Sequence, residues 1–479
     1  MSSTLRAARP TPWGTSVWQS RGLVPGGLAV LAVAWPLFVF TGSQASYVVS
    51  IIAACCAAAA LARTRSSLMV GFLAGVMVLI GPEVNGQLGN GHAPLGSLRV
   101  LDAATAAAAI ALFVLVLWPS RRAILARWRR PGALALVSAT ALGYASLRWA
   151  MEGHRVDSFL RTDLRLIVLA ILFWFIVSNC RRGGARAILW CLVGVGLLAA
   201  LKAAAIHYSG LYAIGADDRL QATNYYVSGR TRTILIGGDT LLILVPAVIV
   251  LLAVAERSSR TRGALAAVGI VCLWALGLSA TRTSVLVALG LMLVAAAVTL
   301  ILARPRLSRW ALAVGVVVTV IVLGVAALGG AASRLTEAEA PHVGLNFRKD
   351  EINSFLRASA TTKYLGQGLG GRFLGKNVNG QPVLTGWAHE LPVWIALKTG
   401  IFGLLCASLA LAIMLRRALG ALRRVGDRVP VLAGAVIVLG LVVMSMTLDR
   451  LALPEGIFPF IVGVFLISTA APRADASAA

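Results

Sequence analysis

The chain has 479 residues, of which 58% are hydrophobic and 13% are charged, and its formal net charge is +26. This composition excludes an ordinary soluble domain, because stretches of about 18 or more apolar residues are typical of membrane-spanning helices. The positive charge does not indicate a nucleic-acid partner, because the arginines fall in alternating short loops, as they do when cationic loops stay in the cytoplasm.

The apolar runs predict an all-α, polytopic membrane protein with 12 to 14 transmembrane helices in one integral membrane domain, residues 1–479. In chain order the runs are 23–40, 47–61, 68–81, 100–118, 132–147, 166–180, 187–206, 233–255, 263–279, 284–303, 310–332, 391–415, 429–446 and 454–467. The second and third runs are shorter and form a weaker pair. The first run follows a basic tail, as a signal peptide does, but its length favours an uncleaved helix.

The arginines also predict which loops face the cytoplasm. They concentrate at residues 6–21, 63–65, 121–130, 181–186, 257–262, 304–309 and 416–428. By the positive-inside bias these segments and both termini are cytoplasmic, so an even number of helices is expected, and 14 fits best. The protein is then a multi-pass membrane protein with both termini in the cytoplasm. The loops between these segments, including residues 148–165 and 207–232, are extracytoplasmic.

A polar segment, residues 333–386, interrupts the apolar pattern and forms the largest predicted outer loop. Apolar residues recur among charged ones over residues 346–357, which favours a helix that lies along the membrane surface. The glycine-rich residues 366–371 predict a tight turn near the substrate. They do not indicate a nucleotide-binding loop, because they are extracytoplasmic and follow no βαβ unit.

His389 follows this loop, immediately before the next predicted helix. A neutral imidazole at that position can accept a proton from a sugar hydroxyl, because the pKa of histidine suits a general base. The alternative is a structural histidine at a helix end. Glu390 either orients the ring or favours the helix N-terminus through its charge.

Three arginines lie at outer helix ends, where the positive-inside bias does not expect them. Arg282 lies in a short link between two apolar helices, and Arg230 and Arg232 precede the helix run at 233–255. A planar guanidinium matches phosphate oxygens in a bidentate manner, so the three suit a lipid-borne diphosphate. The alternatives are that Arg282 reaches out to lipid phosphates and that the other two pair with Asp217 or Asp218.

The sequence predicts no metal site and no cofactor. The cysteines lie within or at the ends of apolar runs, where they behave as small hydrophobic residues. Histidines outside the candidate site are scattered over different outer loops without ligand spacing: His92, His154, His207 and His342. The cytoplasmic loops hold few acids, so we expect the chemistry in the membrane or at its outer face.

Four segments in this order resemble the bacterial O-antigen ligase and polymerase superfamily: residues 346–357, the glycine-rich 364–370, the segment 388–391 around His389, and the helix segment 398–405. The link around Arg282 is similar to the outer arginine motif of that family. The resemblance covers residues 229–415. The chain departs from the family at Glu390, where asparagine is usual, and at residues 237–240, where the family has a Pro-Asn region.

The resemblance implies a metal-independent glycosyltransferase of the membrane-embedded C-type (GT-C) architecture. Its donor would be a polyprenyl-diphosphate-linked glycan, and its acceptor a glycan, lipid or protein hydroxyl. Arg282 with Arg230 or Arg232 would hold the diphosphate, and His389 would activate the acceptor. Glu390, Arg348 and Arg372 are candidate supporting residues.

Two other functions remain open. A polytopic transporter of a glycan or other anionic substrate is the main alternative, although transporters often place charged residues near the membrane midplane. A polyprenyl-monophosphate sugar transferase is the second, but those enzymes usually carry acids in the first outer loop, and residues 42–46 hold none. The sequence does not distinguish a ligase from a polymerase.

Overall fold

The structure is a computed structural model of the chain. It describes residues 44–64, 66–79, 100–114, 133–152, 163–179, 184–209, 224–227, 230–233, 239–278, 282–302, 340–376, 382–385, 390–424, 427–446, 451 and 454–469. Two predicted helices, 23–40 and 310–332, lie outside these residues, as do His389 and the pair Asp217 and Asp218.

The described part is almost entirely helical. The first six helices are α1 (Gln44–Thr64), α2 (Ser66–Leu79), α3 (Val100–Leu112), α4 (Ala133–Glu152), α5 (Arg165–Ser178) and α6 (Ala185–Ser209). After strands β1 (Asn224–Val227) and β2 (Arg230–Thr233) come α7 (Asp239–Ala255), α8 (Ser259–Leu278), α9 (Arg282–Leu302) and α10 (Ala340–Thr361). Strands β3 (Phe373–Lys376) and β4 (Pro382–Thr385) precede α11 (Leu391–Arg424), α12 (Val429–Ser445) and α13 (Pro454–Thr469).

Every predicted helix that falls within the described residues is a helix. The differences are at the ends: α4 continues beyond the apolar run to Glu152, α11 continues to Arg424, and α7 begins at Asp239 rather than at residue 233. An apolar run marks where a helix is buried, whereas polar residues can extend the same helix. The outer loop expected at residues 148–165 is therefore shorter than predicted, because Arg148 belongs to α4 and Arg165 to α5.

Three helices are long and apolar enough to cross a membrane by length and composition: Ala185–Ala205, Ser259–Leu278 and Leu391–Leu422. The shorter apolar helices include Asp239–Ala255 and Val429–Ser445. The prediction of a helical membrane protein is confirmed at this level. The count of 12 to 14 spans and the GT-C architecture stay predictions.

Helix α7 lies at the centre of the main bundle. Its residues from Asp239 to Leu252 are all buried, and it packs against α6, α8, α9 and α12. Small residues let the helices approach closely, as is common in membrane proteins. A Cβ added at Gly196 would lie 2.7 Å from Val245 Cγ1, and one at Gly434 would lie 2.6 Å from the carbonyl oxygen of Gly463.

Helix α4 lies at the edge of the molecule and packs mainly against α11. The amphipathic helix α10, predicted within residues 346–357, is confirmed and is longer than predicted. A small apolar cluster of Phe355, Phe373 and Leu397 joins α10, β3 and α11.

Two antiparallel hairpins depart from the all-α prediction. β1 pairs with β2, with Tyr225 opposite Arg232 and Val227 opposite Arg230, and β3 pairs with β4. Each strand has four residues. Segments this short give too little alternation of apolar and polar residues to be recognised from the sequence.

Candidate functional site

Helix α11 is broken at Gly400, where φ is 61° and ψ is −156°. A break of this kind interrupts the ladder of hydrogen bonds along the helix backbone. The carbonyl oxygens of Leu397 and Lys398, just before the break, accept hydrogen bonds from the backbone N–H groups of Gln367 (2.8 Å) and Gly368 (2.9 Å). The glycine-rich turn, residues 364–371, therefore completes the helix at its break. Backbone groups in a membrane need such partners, because lipid offers none.

The turn fits the break because it carries glycines with positive φ. A Cβ at Gly366 would contact the backbone nitrogen of Gly400, and a Cβ at Gly400 would contact the carbonyl oxygen of Tyr364. A Cβ at Gly368 would meet the backbone nitrogen of Trp149 on α4. The predicted tight turn is confirmed, and it is packed against two helices rather than open to solvent.

Polar side chains of α4 hold the turn from the other side. The guanidinium of Arg148 donates to the carbonyl oxygen of Gly366 from both Nε (3.0 Å) and Nη2 (2.9 Å), and Nη2 also pairs with Glu152. The hydroxyl of Tyr144 donates to the carbonyl oxygen of Leu365 at 2.8 Å. The sequence placed Arg148 in a loop. In the structure it is a buried helix residue that binds the turn.

A buried ion pair lies beneath the turn. Lys398 Nζ is 3.0 Å from Asp163 Oδ2, and the two side chains are only 3% and 4% exposed. The same Oδ2 accepts the backbone N–H of Gly370, and Lys398 Nζ also donates to the carbonyl oxygen of Gly371 at 3.0 Å. The pair therefore contacts the turn through one backbone donor and one backbone acceptor.

A cavity of about 270 Å³ lies directly below this ion pair, between α4, the start of α5 and α11. Its walls are mainly apolar and include Ala141, Ile167, Trp394 and Ala407, and Lys398 and Asp163 form its polar end. Small residues on the facing sides of α4 and α11 leave this space open.

The predicted base, His389, lies outside the described residues, but the residues after it are described. Glu390 is partly buried, and its carbonyl oxygen accepts the backbone N–H of Trp394 at 3.0 Å. Helix α11 thus begins immediately after His389, as predicted.

The predicted diphosphate ligands lie at the start of other elements. Arg282 is the first residue of α9, and Arg230 and Arg232 belong to β2, which precedes α7. Because short links join α7 to α8 and α8 to α9, and α7 packs on both, α7 and α9 run in the same direction. Arg282 and β2 therefore lie at the same end of the bundle.

The start of α11 lies at this end too. A Cβ at Gly440, near the end of α12, would contact Leu244 near the start of α7 and Leu291 of α9. The end of α12 is therefore next to the start of α7. Since α11 connects to the other end of α12, its start returns to the end that holds Arg282 and β2. The arginine-bearing segments and the start of α11 belong to different parts of that end, because α11 packs on α4, α12 and α13.

The candidate supporting residues have separate positions. Arg348 is in α10, and Arg372 is exposed and directly follows the turn. Sequence reasoning did not single out Arg148, Asp163 or Lys398 as site residues. One signal pointed to Lys398, since a lysine within an apolar run marks a functional position by default. Its partner Asp163 is far away in sequence, and nothing local identifies the pair.

Comparison of the sequence with protein-family models and with curated proteins finds no significant match.

Proposed function

We propose that the protein is a membrane glycosyltransferase that moves a glycan from a polyprenyl-diphosphate carrier to an acceptor hydroxyl at the outer face of the bacterial cytoplasmic membrane. The observation that supports this best is that the three segments next to the predicted site residues lie at the same end of the bundle. The segment carrying Arg230 and Arg232, the start of α9 at Arg282 and the start of α11 after His389 lie at one end of the bundle. In this proposal, the cations for a diphosphate and the base for a hydroxyl come from segments at that end.

In the proposed reaction, Arg282 with Arg230 or Arg232 binds the diphosphate. His389 accepts the proton of the acceptor hydroxyl, and the hydroxyl oxygen attacks the anomeric carbon of the glycan. The bond between that carbon and the diphosphate oxygen breaks, so the polyprenyl diphosphate leaves with the electron pair. The guanidinium groups stabilise the charge that develops on the leaving oxygen, which is where preorganised charge has its largest effect.

The orientation in the membrane is part of the proposal. Arg186 Nε lies 2.8 Å from Asp427 Oδ2, so two of the arginine-rich segments meet at one end of the bundle. The positive-inside bias assigns that end to the cytoplasm. Arg148 near the end of α4, Asp163 before the start of α5 and Lys398 near the start of α11 lie away from that end, which supports an outer-face site.

Substitution of His389 or Arg282 tests this function. Membranes that contain His389→Ala or Arg282→Ala should show no glycan transfer from a polyprenyl-diphosphate donor, at unchanged protein level. A matched control is Arg262→Ala, because Arg262 binds the carbonyl oxygen of Glu256 at 2.9 Å at the other end of the bundle. The control should retain transfer. Full activity of either site variant would contradict the mechanism, and a chelator should leave the rate unchanged.

The lipid-linked intermediate that accumulates after deletion of the gene distinguishes the two forms of this activity. A carrier that bears a single repeat unit indicates a polymerase, because chain extension is missing. A carrier that bears a complete glycan indicates a ligase, because only the final transfer is missing.

One observation favours a second candidate, a transporter. Transporters often have broken membrane helices with charged groups next to the break, and α11 has both at Gly400 and Lys398. An uptake assay with the glycan substrate decides between the two functions. Accumulation that survives His389→Ala favours transport, and loss of glycan transfer without uptake favours the transferase.

A further inference from the structure

We propose that Lys398 and Asp163 are positioning residues: their ion pair fixes the glycine-rich turn in the break of α11 and thereby sets the direction of the first segment of α11, which follows the predicted base His389. The inference rests on the proposed function for its kinetic part. Its structural part, that the pair holds the turn, stands independently of what the protein transfers.

The two side chains of the ion pair bind the turn as well as each other. Asp163 Oδ2 accepts from Gly370, and Lys398 Nζ donates to Gly371. These are adjacent residues at the end of the turn, so the two charges hold one donor and one acceptor of the same short backbone segment. Charge-assisted hydrogen bonds are about twice as strong as neutral ones.

The ion pair joins three chain segments that are distant in sequence. Asp163 directly precedes α5, Lys398 lies in α11, and the turn belongs to the large outer loop. Loss of the pair leaves the turn attached to α4 and to the carbonyl oxygens before the break. It removes a charged contact that links the end of the turn to the start of α5.

The first segment of α11 connects the ion pair to the part of the chain that follows His389. Leu391 lies seven residues before Lys398, which is about 10 Å along a helix axis. This segment of α11 ends at the break, so its direction is not imposed by the rest of the helix. The hydrogen bonds from Gln367 and Gly368 to its last carbonyl oxygens impose the direction, together with the packing of Leu397 in its apolar cluster. A shift of the turn therefore moves the first segment of α11, which follows the predicted base.

A buried ion pair contributes little net stability, because burial of the two charges carries a desolvation cost. Replacing both partners by apolar residues is often neutral for stability, whereas removing one partner strongly destabilises a protein. This difference allows the two roles to be separated. A purely structural pair can be replaced by two apolar residues without loss of activity, but a positioning pair cannot.

The first experiment measures docking of the turn without any substrate. Leu369 is buried in the turn, and its backbone N–H donates to Ala145 on α4 at 3.2 Å. In a full-length chain whose native cysteines are replaced by serine, Leu369→Cys should resist a membrane-impermeant maleimide. It should react at least about tenfold faster when Lys398→Met with Asp163→Leu is added. Arg186→Met, which removes the ion pair at the other end of the bundle, is the control and should leave the cysteine protected.

The second experiment measures transfer kinetics. The double variant Lys398→Met with Asp163→Leu should keep the thermal stability of the native chain within a few degrees. Its kcat should fall by about 100-fold with little change in the KM for the donor, because small displacements of a catalytic group cost rate rather than binding. Lys398→Arg, which keeps the charge and its donors, should recover part of the lost kcat.

Each outcome decides the proposal. Equal protection of the cysteine with and without the pair overturns it, as does a reactive cysteine in the native background. Native kcat in the double variant shows that the pair is only structural and also overturns it. If the native chain transfers no glycan, the proposed function fails, while the labelling result still tests whether the pair holds the turn.

Discussion

The main bundle around α7 and the region formed by α4, the glycine-rich turn and α11 are stabilised in different ways. In the bundle, apolar side chains and close-packed glycines such as Gly196 and Gly434 fill the interior. In the second region, backbone carbonyl oxygens of the turn accept hydrogen bonds from Tyr144, Arg148 and Lys398. Apolar packing tolerates small changes of shape, whereas directional bonds define one arrangement. The bundle around α7 can therefore adjust to small changes, whereas the region of α4, the turn and α11 keeps one fixed geometry.

The largest effect that separates the regions should come from Gly400→Ala. Alanine is strained at a φ of 61° with a ψ of −156°, and its Cβ would contact the carbonyl oxygen of Tyr364. We expect a loss of about 4 kcal/mol in the free energy of unfolding in detergent. Gly420→Ala, in the same helix with open space around it, is the control and should be neutral or stabilising. Equal effects of the two substitutions would show that α11 is continuous.

A cavity in the bundle tests the other region. Phe173 is fully buried and packs edge-to-face against Phe458, with ring centroids 4.9 Å apart. Phe173→Ala should lower the free energy of unfolding by about 3 kcal/mol, because the packing contacts are lost. Phe113→Ala, which removes a ring that is 47% exposed, should have a much smaller effect. The turn should stay docked in Phe173→Ala, and reactivity of Leu369→Cys in that background would contradict the separation of the regions.

A single hydroxyl provides a finer comparison. Tyr144→Phe removes the hydrogen bond to Leu365 and keeps the ring contact with Phe402, whose centroid is 4.8 Å away. We expect a loss of about 1 kcal/mol in thermal unfolding measurements. Tyr208→Phe on α6 serves as the control for loss of a tyrosine hydroxyl outside the turn. An effect of Tyr144→Phe no larger than that of Tyr208→Phe would show that the hydrogen bond to Leu365 does not stabilise the turn.

The smallest expected effect is at the opposite end of the bundle. Arg186 and Asp427 form an ion pair, but both side chains are nearly half exposed. Asp427→Asn should change the free energy of unfolding by about 0.5 kcal/mol, because solvent and salt screen exposed pairs. The difference from the native chain should disappear in about 1 M salt. A difference that persists at high salt would indicate a buried pair.

The sequence predicted the bundle far better than the site. Apolar runs mark helices such as α6, α7 and α12 because membrane burial requires many apolar residues in succession. The turn was also predictable, since its glycines suit positive φ. The partners of Lys398 and Arg148 were not predictable from the sequence. Asp163 and Gly366 are more than 200 residues away from them, and no local sequence pattern indicates a contact across that distance.

The break in α11 also affects how the chain enters the membrane. The first part of the helix becomes a fully hydrogen-bonded segment only after the turn supplies N–H groups to its last carbonyl oxygens. Helix α4 and the turn are synthesised before α11, so both are present when that segment emerges from the ribosome. We therefore expect insertion of α11 to depend on assembly with earlier parts of the chain, so that a shortened segment without the turn should reduce its integration.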